Sequence, residues 1–133
     1  MARILLAEDD DGVRSFVSRA LEIAGHEVLV AEDGGLAAER LDAVAGQVDL
    51  LLSDIKMPVL DGIALAQMAA GRYPGLKILL MTGFADQRER ANGLDAVVYD
   101  VVGKPFTLAG LIEKVEDALA GKPVEIISLA SQL

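Results

Sequence analysis

Five short apolar runs limit what this chain can fold into: Ile4–Ala7, Val28–Ala31, Leu50–Leu52, Ile78–Met81 and Val97–Val102, the last interrupted by Asp100. Runs this short do not by themselves separate a buried strand from a piece of helix. Their even spacing and flanking breakers favour strand. A strand buried on both faces reads as a continuous apolar run rather than an alternating one. Stretches with helical periodicity lie between the runs, and alternating strand and helix units build a parallel sheet with helices on both faces.

The first helical stretch repeats Val13, Phe16, Val17, Ala20, Leu21 and Ala24 on successive turns. Asp10 or Asp11 is placed to cap its start, and Gly25 to end it in the left-handed conformation. A second helix is predicted after Asp33-Gly34, with Ala37, Leu41 and Val44 inward. A third follows Asp61-Gly62 and stops before Tyr73-Pro74-Gly75. A fourth, short and polar, is predicted over 86–92 before Gly93. The last is capped by Thr107 and buries Leu108, Leu111, Ile112, Val115 and Leu119. Right-handed crossovers leave few topologies. Five strands fit the doubly wound order 2-1-3-4-5, whose crevice opens beyond the ends of the first and third strands. One α/β domain over residues 1–121 is expected, followed by a tail, 122–133, of unknown role.

Composition narrows the function. The chain has 133 residues, enough for a single core, and a hydrophobic fraction of 53%. No stretch approaches the ~20 uninterrupted apolar residues of a membrane span, so no membrane partner is expected. The N-terminus runs straight into a strand-like segment without the layout of a signal peptide, and the expected location is the cytoplasm. The absence of cysteine excludes disulfides and thiolate metal sites. A net charge of −9 disfavours nucleic acid, which needs clustered Lys and Arg. The densest basic segment, Arg88-Glu89-Arg90, is diluted by its own Glu and by Asp86.

Four strand ends carry polar groups of complementary chemistry: the acids Glu8-Asp9-Asp10-Asp11, the carboxylate Asp54, the hydroxyl of Thr82 and the amine of Lys104. If the first and third strands are neighbours, Glu8, Asp9 and Asp54 lie close enough to repel unless a cation intervenes. Mg²⁺ suits a few carboxylates with room for a phosphate oxygen. One of the acids after Ala7 is expected to cap the first helix. Asp54 does not cap the third, which starts only beyond Met57-Pro58 and Asp61-Gly62. A carboxylate so placed can act as a nucleophile and form an acyl phosphate. Lys104 precedes Pro105, which pushes its backbone to an extended conformation and lets its ammonium reach over the crevice. Thr82 can hydrogen-bond a phosphoryl oxygen, with Gly83 leaving space beside it. No G-x-G-x-x-G or Walker loop occurs. The only histidine, His26, follows Gly25 in a turn and reads as structural.

Together, Glu8-Asp9, Asp54-Ile55-Lys56-Met57-Pro58 with Asp61-Gly62, Thr82-Gly83 and Lys104-Pro105-Phe106 resemble the receiver domain of two-component response regulators, over about residues 2–120. The resemblance implies a flavodoxin-like (CheY-like) fold. It implies that Asp54 accepts a phosphoryl group from a phosphohistidine donor, a histidine kinase or histidine phosphotransferase. Mg²⁺ is implied among Glu8, Asp9, Asp54 and the backbone carbonyl of Lys56, with Glu8 where Asp is commoner in the family. Thr82 and Lys104 are implied to bind phosphoryl oxygens, and Gly83, Phe84, Val101 and Pro105 to form the switch region. The domain would act as a monomer or weak dimer through the face of the fourth helix, fifth strand and last helix. It would catalyse only its own phosphorylation and dephosphorylation. Ala7-Glu8-Asp9-Asp10, Thr82-Gly83-Phe84-Ala85 and the stretch 92–106 are similar to the CpdR type of alphaproteobacteria. That likeness implies an output on the ClpXP protease or its adaptors, at the cell pole.

One position departs from the family. Val101, three residues before Lys104, stands where receivers usually carry Tyr or Phe. Tyr99, two residues earlier, shares the strand face with Val101 but sits at the wrong depth to substitute simply. The expected switch is therefore an ordering of the short polar helix. Because no further domain follows residue 133, a stand-alone receiver is expected. The alternatives are a Mg²⁺-dependent phosphatase using Asp54, a receiver cut from a DNA-binding regulator, and a degenerate receiver. The phosphatase commonly needs a second acid where Lys56 stands. Intact Asp54, Thr82 and Lys104 disfavour the degenerate form.

Overall fold

A computed structural model describes residues 2–82, 98–103 and 107–121. The fourth predicted helix, Gly83, Phe84, Lys104, Pro105 and the tail lie outside the described residues. The five strands are β1 (Arg3–Ala7), β2 (Glu27–Ala31), β3 (Leu50–Asp54), β4 (Lys77–Thr82) and β5 (Asp100–Gly103). They form one sheet in the order β2-β1-β3-β4-β5, parallel throughout. The helices among the described residues are α1 (Asp11–Ile23), α2 (Gly34–Ala43), α3 (Gly62–Arg72) and α4 (Leu108–Ala120). Topology and fold class agree with the sequence-based expectation.

Each helix begins at a side chain that accepts a hydrogen bond from the first turn: Asp10 for α1, Asp33 for α2, Asp61 for α3 and Thr107 for α4. These caps satisfy amide donors that have no partner within a helix. Gly121 ends α4 in the left-handed conformation.

The sheet carries one core on each face. Leu5, Leu51, Ile78 and Leu80 point to a cluster closed by Leu41 of α2 and by Leu65, Ala66 and Ala69 of α3. Ile4, Leu6, Leu50, Leu52, Leu79 and Met81 point to a second cluster closed by Val17 and Leu21 of α1 and by Leu111 and Val115 of α4. This strict alternation along unbroken apolar strands is the period-2 signature of a sheet covered on both faces.

Tyr99 requires a correction. It packs against the α1/α4 cluster, whereas Val101 packs against the α2/α3 cluster. Tyr99 lies in a bend before β5, its N–H donating to the Ile78 carbonyl at 2.7 Å. The strand's alternation does not extend back to it, so the two residues do not share a face. His26 is structural as expected. It is buried, its Nδ1 accepts from the Ala2 N–H at 3.2 Å, and its Nε2 lies 2.7 Å from Glu116 Oε1.

Candidate functional site

All five strands run parallel, so their C-terminal ends gather on one edge of the sheet. Glu8 follows β1, Asp54 ends β3, Thr82 ends β4, and β5 ends at Gly103, one residue before Lys104. Glu8 is fully buried, Asp54 is 7% exposed and Thr82 3% exposed, while Asp9 stands at the surface. Burying two carboxylates at a sheet edge is costly unless charge or hydrogen bonds compensate.

Carboxylate oxygens of Glu8, Asp9 and Asp54 all lie within 4.8 Å of one another. β1 and β3 are direct neighbours, with Ala7 paired to Ser53, so both acids leave the sheet side by side. An all-oxygen, three-carboxylate set matches a hard divalent cation such as Mg²⁺. Thr82 sits one residue beyond Met81, the partner of Asp54 across β3 and β4.

The backbone around Asp54 is fixed from three directions. Its Oδ1 accepts from the Ile55 N–H at 2.9 Å, and its carbonyl accepts from Ser53 Oγ at 2.8 Å. Gly62 leans on that carbonyl so closely that a Cβ there would fall 2.1 Å from the oxygen. As expected, Asp54 caps no helix; Asp61 does that for α3. Lys56, two residues past Asp54, is exposed. Farther along the same loop, Val59 has φ +73° and is 83% exposed. A β-branched residue in the left-handed region is strained.

Arg14 was not singled out from the sequence. Its Nη1 donates to the Glu8 carbonyl at 2.9 Å, and its guanidinium pairs with Asp11. It thereby ties the first turn of α1 to the backbone that presents Glu8. The sequence signal was the i,i+3 spacing of Asp11 and Arg14, which taken alone reads as an ordinary surface pair.

The fold and the acidic edge define a receiver-type α/β domain, and comparison with known proteins gives its family. The response regulator receiver domain matches residues 4–116, and this chain belongs to that family. It is 43% identical over 119 residues to the response regulator receiver protein CpdR of Brucella abortus, covering 90% of this chain and 98% of that one. It is 37% identical to the response regulator MprA of Mycobacterium tuberculosis over 88% of this chain but only 50% of that protein. Among solved structures, the receiver domain of the hybrid histidine kinase CckA is 35% identical, with a TM-score of 0.74 over 88% of this chain and 98% of that one. The chain is thus a CpdR-like receiver domain. Among the described residues, no helix is long and apolar enough to cross a membrane.

Proposed function

We propose that the chain is a phosphorelay receiver that takes a phosphoryl group onto Asp54 from a phosphohistidine donor. The observation that carries this reading is the three-carboxylate cluster at the β1 and β3 ends, with Thr82 at the end of the adjoining strand. An Asp54 carboxylate oxygen attacks phosphorus while the bond to the donor imidazole nitrogen breaks, its electron pair remaining on that nitrogen. The product is an acyl phosphate. Glu8, Asp9, Asp54 and the Lys56 carbonyl would hold Mg²⁺, which when bound supplies positive charge against the equatorial phosphoryl oxygens. The Thr82 hydroxyl donates to one of those oxygens, and the Lys104 ammonium neutralises another. The chain catalyses only its own phosphorylation and hydrolysis.

Phosphorylation replaces one carboxylate charge with a group near −2. Moving the domain from ~1% to ~99% active requires a differential of about 5.5 kcal/mol between the two states. With valine at position 101, that energy acts through residues 83–97 and the β5 edge rather than an aromatic side chain. The likeness to CpdR along nearly its whole length supports an output on the ClpXP protease or its adaptors, in the cytoplasm and at the cell pole.

Acetyl phosphate with Mg²⁺ should label the wild type at one site and leave Asp54→Asn unlabelled. Labelling that survives this substitution defeats the assignment of Asp54. The output is tested by binding to the purified protease with and without beryllofluoride; indifference to the ligand removes that part of the reading.

A further inference from the structure

An apolar groove of about 510 Å³ runs between α1 and α4. Ala20, Ile23 and Ala24 wall one side, Leu108, Ala109 and Ile112 the other, and Glu113 joins them. Ile23 is 77% exposed, and Phe16, seven residues back on the same helical stripe, 61%. A soluble domain rarely leaves such side chains together in water without an occupant. None of Glu8, Asp9, Asp54 or Thr82 lines the groove.

We propose that the chain's own C-terminal segment, residues 122–133, occupies this groove. The segment follows Gly121, whose left-handed conformation lets the chain turn back after α4. Along α4, Gly121 stands nine residues past Ile112, about 14 Å at helical rise. Twelve residues reach up to roughly 40 Å when extended, so the groove lies well within range. The segment carries Val124, Ile126, Ile127, Leu129 and Leu133 against two charges, Lys122 and Glu125. That composition matches the groove's apolar walls. It does not match a second cavity near the end of α4, about 490 Å³, which Asp49, Lys77 and Glu116 line with charge.

Tethering decides the occupancy. A short flexible link gives an effective concentration in the millimolar range. A contact with an affinity of only about 1 mM between separate molecules would then fill the groove in about half of the chains. Any partner that lays an apolar face across α1 and α4 must first displace this segment, which makes the tail an intramolecular competitor.

The chain has no cysteine, so a spin label at Gln132→Cys in the full-length protein is unambiguous. The Ile23 and Ile112 methyl resonances should be lost through paramagnetic broadening. They should return when Ile126, Ile127 and Leu129 are all changed to Asp, with the remaining methyl spectrum unchanged as the check on folding. Methyl signals that never broaden overturn the proposal, as does broadening that survives the triple substitution. Mixing spin-labelled chains with isotopically labelled, unmodified ones tests a second copy as occupant; broadening between molecules also overturns it.

Discussion

Gly62 offers a direct test of how the sheet edge is built, because the same substitution on the same helix should have opposite signs at two positions. A Cβ at Gly62 would lie 2.1 Å from the Asp54 carbonyl oxygen, 2.9 Å from its carbon and 2.9 Å from Ile55 Cα, all of them backbone atoms. Real Cβ contacts essentially never fall under 3.0 Å, so about 0.9 Å must be opened between α3 and the end of β3. That shift works against the 2.8 Å hydrogen bond from the Gly62 N–H to the Ile55 carbonyl and the buried contacts of Ile63, Leu65, Ala66 and Ala69. Overpacking of this kind costs about 1–3 kcal/mol, and a weakened hydrogen bond adds about 1 kcal/mol. The helix preference of Ala over Gly returns somewhat under 1 kcal/mol. Gly62→Ala should therefore destabilise by roughly 1–3 kcal/mol, and the strain falls on the residue that carries the candidate nucleophile. Gly71, also in α3, is exposed, and a Cβ there would meet nothing within 4 Å; Gly71→Ala should stabilise by about 0.5–1 kcal/mol. Urea unfolding gives both values from midpoints at a common slope. Acetyl-phosphate labelling of the folded Gly62→Ala protein should also fall. A Gly62→Ala protein within about 0.5 kcal/mol of wild type, or two shifts of the same sign, would refute the reasoning.

Mg²⁺ should raise the thermal midpoint progressively with concentration, by about 2.7 kcal/mol of stability at a hundredfold excess over its dissociation constant. An undiminished shift in an Asp9→Asn/Asp54→Asn double variant would move the ion away from the carboxylate cluster. Tyr73 Oη donates to Asp42 Oδ1 at 2.5 Å; this bond, with Arg72, holds the Asp42 carboxyl below its ordinary 3.8, and the same bond, against the opposing charge of Arg72, holds the tyrosine above its ordinary 10.0. The contact should stabilise fully between those values, weakening as pH falls below 3.8 through the lowered carboxyl value or rises above 10.0 through the raised tyrosine value. Absorbance titration of Asp42→Asn should show Tyr73 ionising at lower pH than in wild type, and an unchanged curve would sink the argument. At Val59, φ +73° costs a β-branched residue roughly 1–2 kcal/mol that asparagine largely avoids. Val59→Asn should gain about 0.5–1 kcal/mol and Val59→Thr nothing, as read by chemical denaturation; equal effects would remove strain as the cause.

The sheet was legible because its signals are local and mutually consistent. Each apolar run ends at a polar residue or glycine, and Asp10, Asp33, Asp61 and Thr107 each stand where a helix must be capped. The acidic edge was legible for a related reason: in a parallel sheet, whatever follows each strand meets at one edge, so the segments after β1 and β3 bring Glu8, Asp9 and Asp54 together without any knowledge of side-chain geometry. What escaped the sequence depends on close approach. The hold of Arg14 on the Glu8 carbonyl, the contact of Gly62 with Asp54 and the left-handed Val59 arise from the placement of one backbone against another. Residue type alone carries no mark of them.

Tyr99 shows how such a reading fails and what the failure implies. Period-2 counting put it on the face of Val101, but the bend before β5 sends it to the α1/α4 side, beside Val102. Val101 remains on the α2/α3 side with Val98 and Leu80. For Tyr99 to serve as an aromatic lever in place of the residue missing at 101, it would have to pass through the plane of the sheet. The hydrogen bond from the Tyr99 N–H to the Ile78 carbonyl and the pairing of Leu79 with Asp100 beside it hold the residue on its own side. Asp54 pairs with Met81 across β3 and β4, and Thr82 pairs with Gly103 across β4 and β5, so a continuous backbone ladder joins the acidic edge to the β5 edge without the help of either ring.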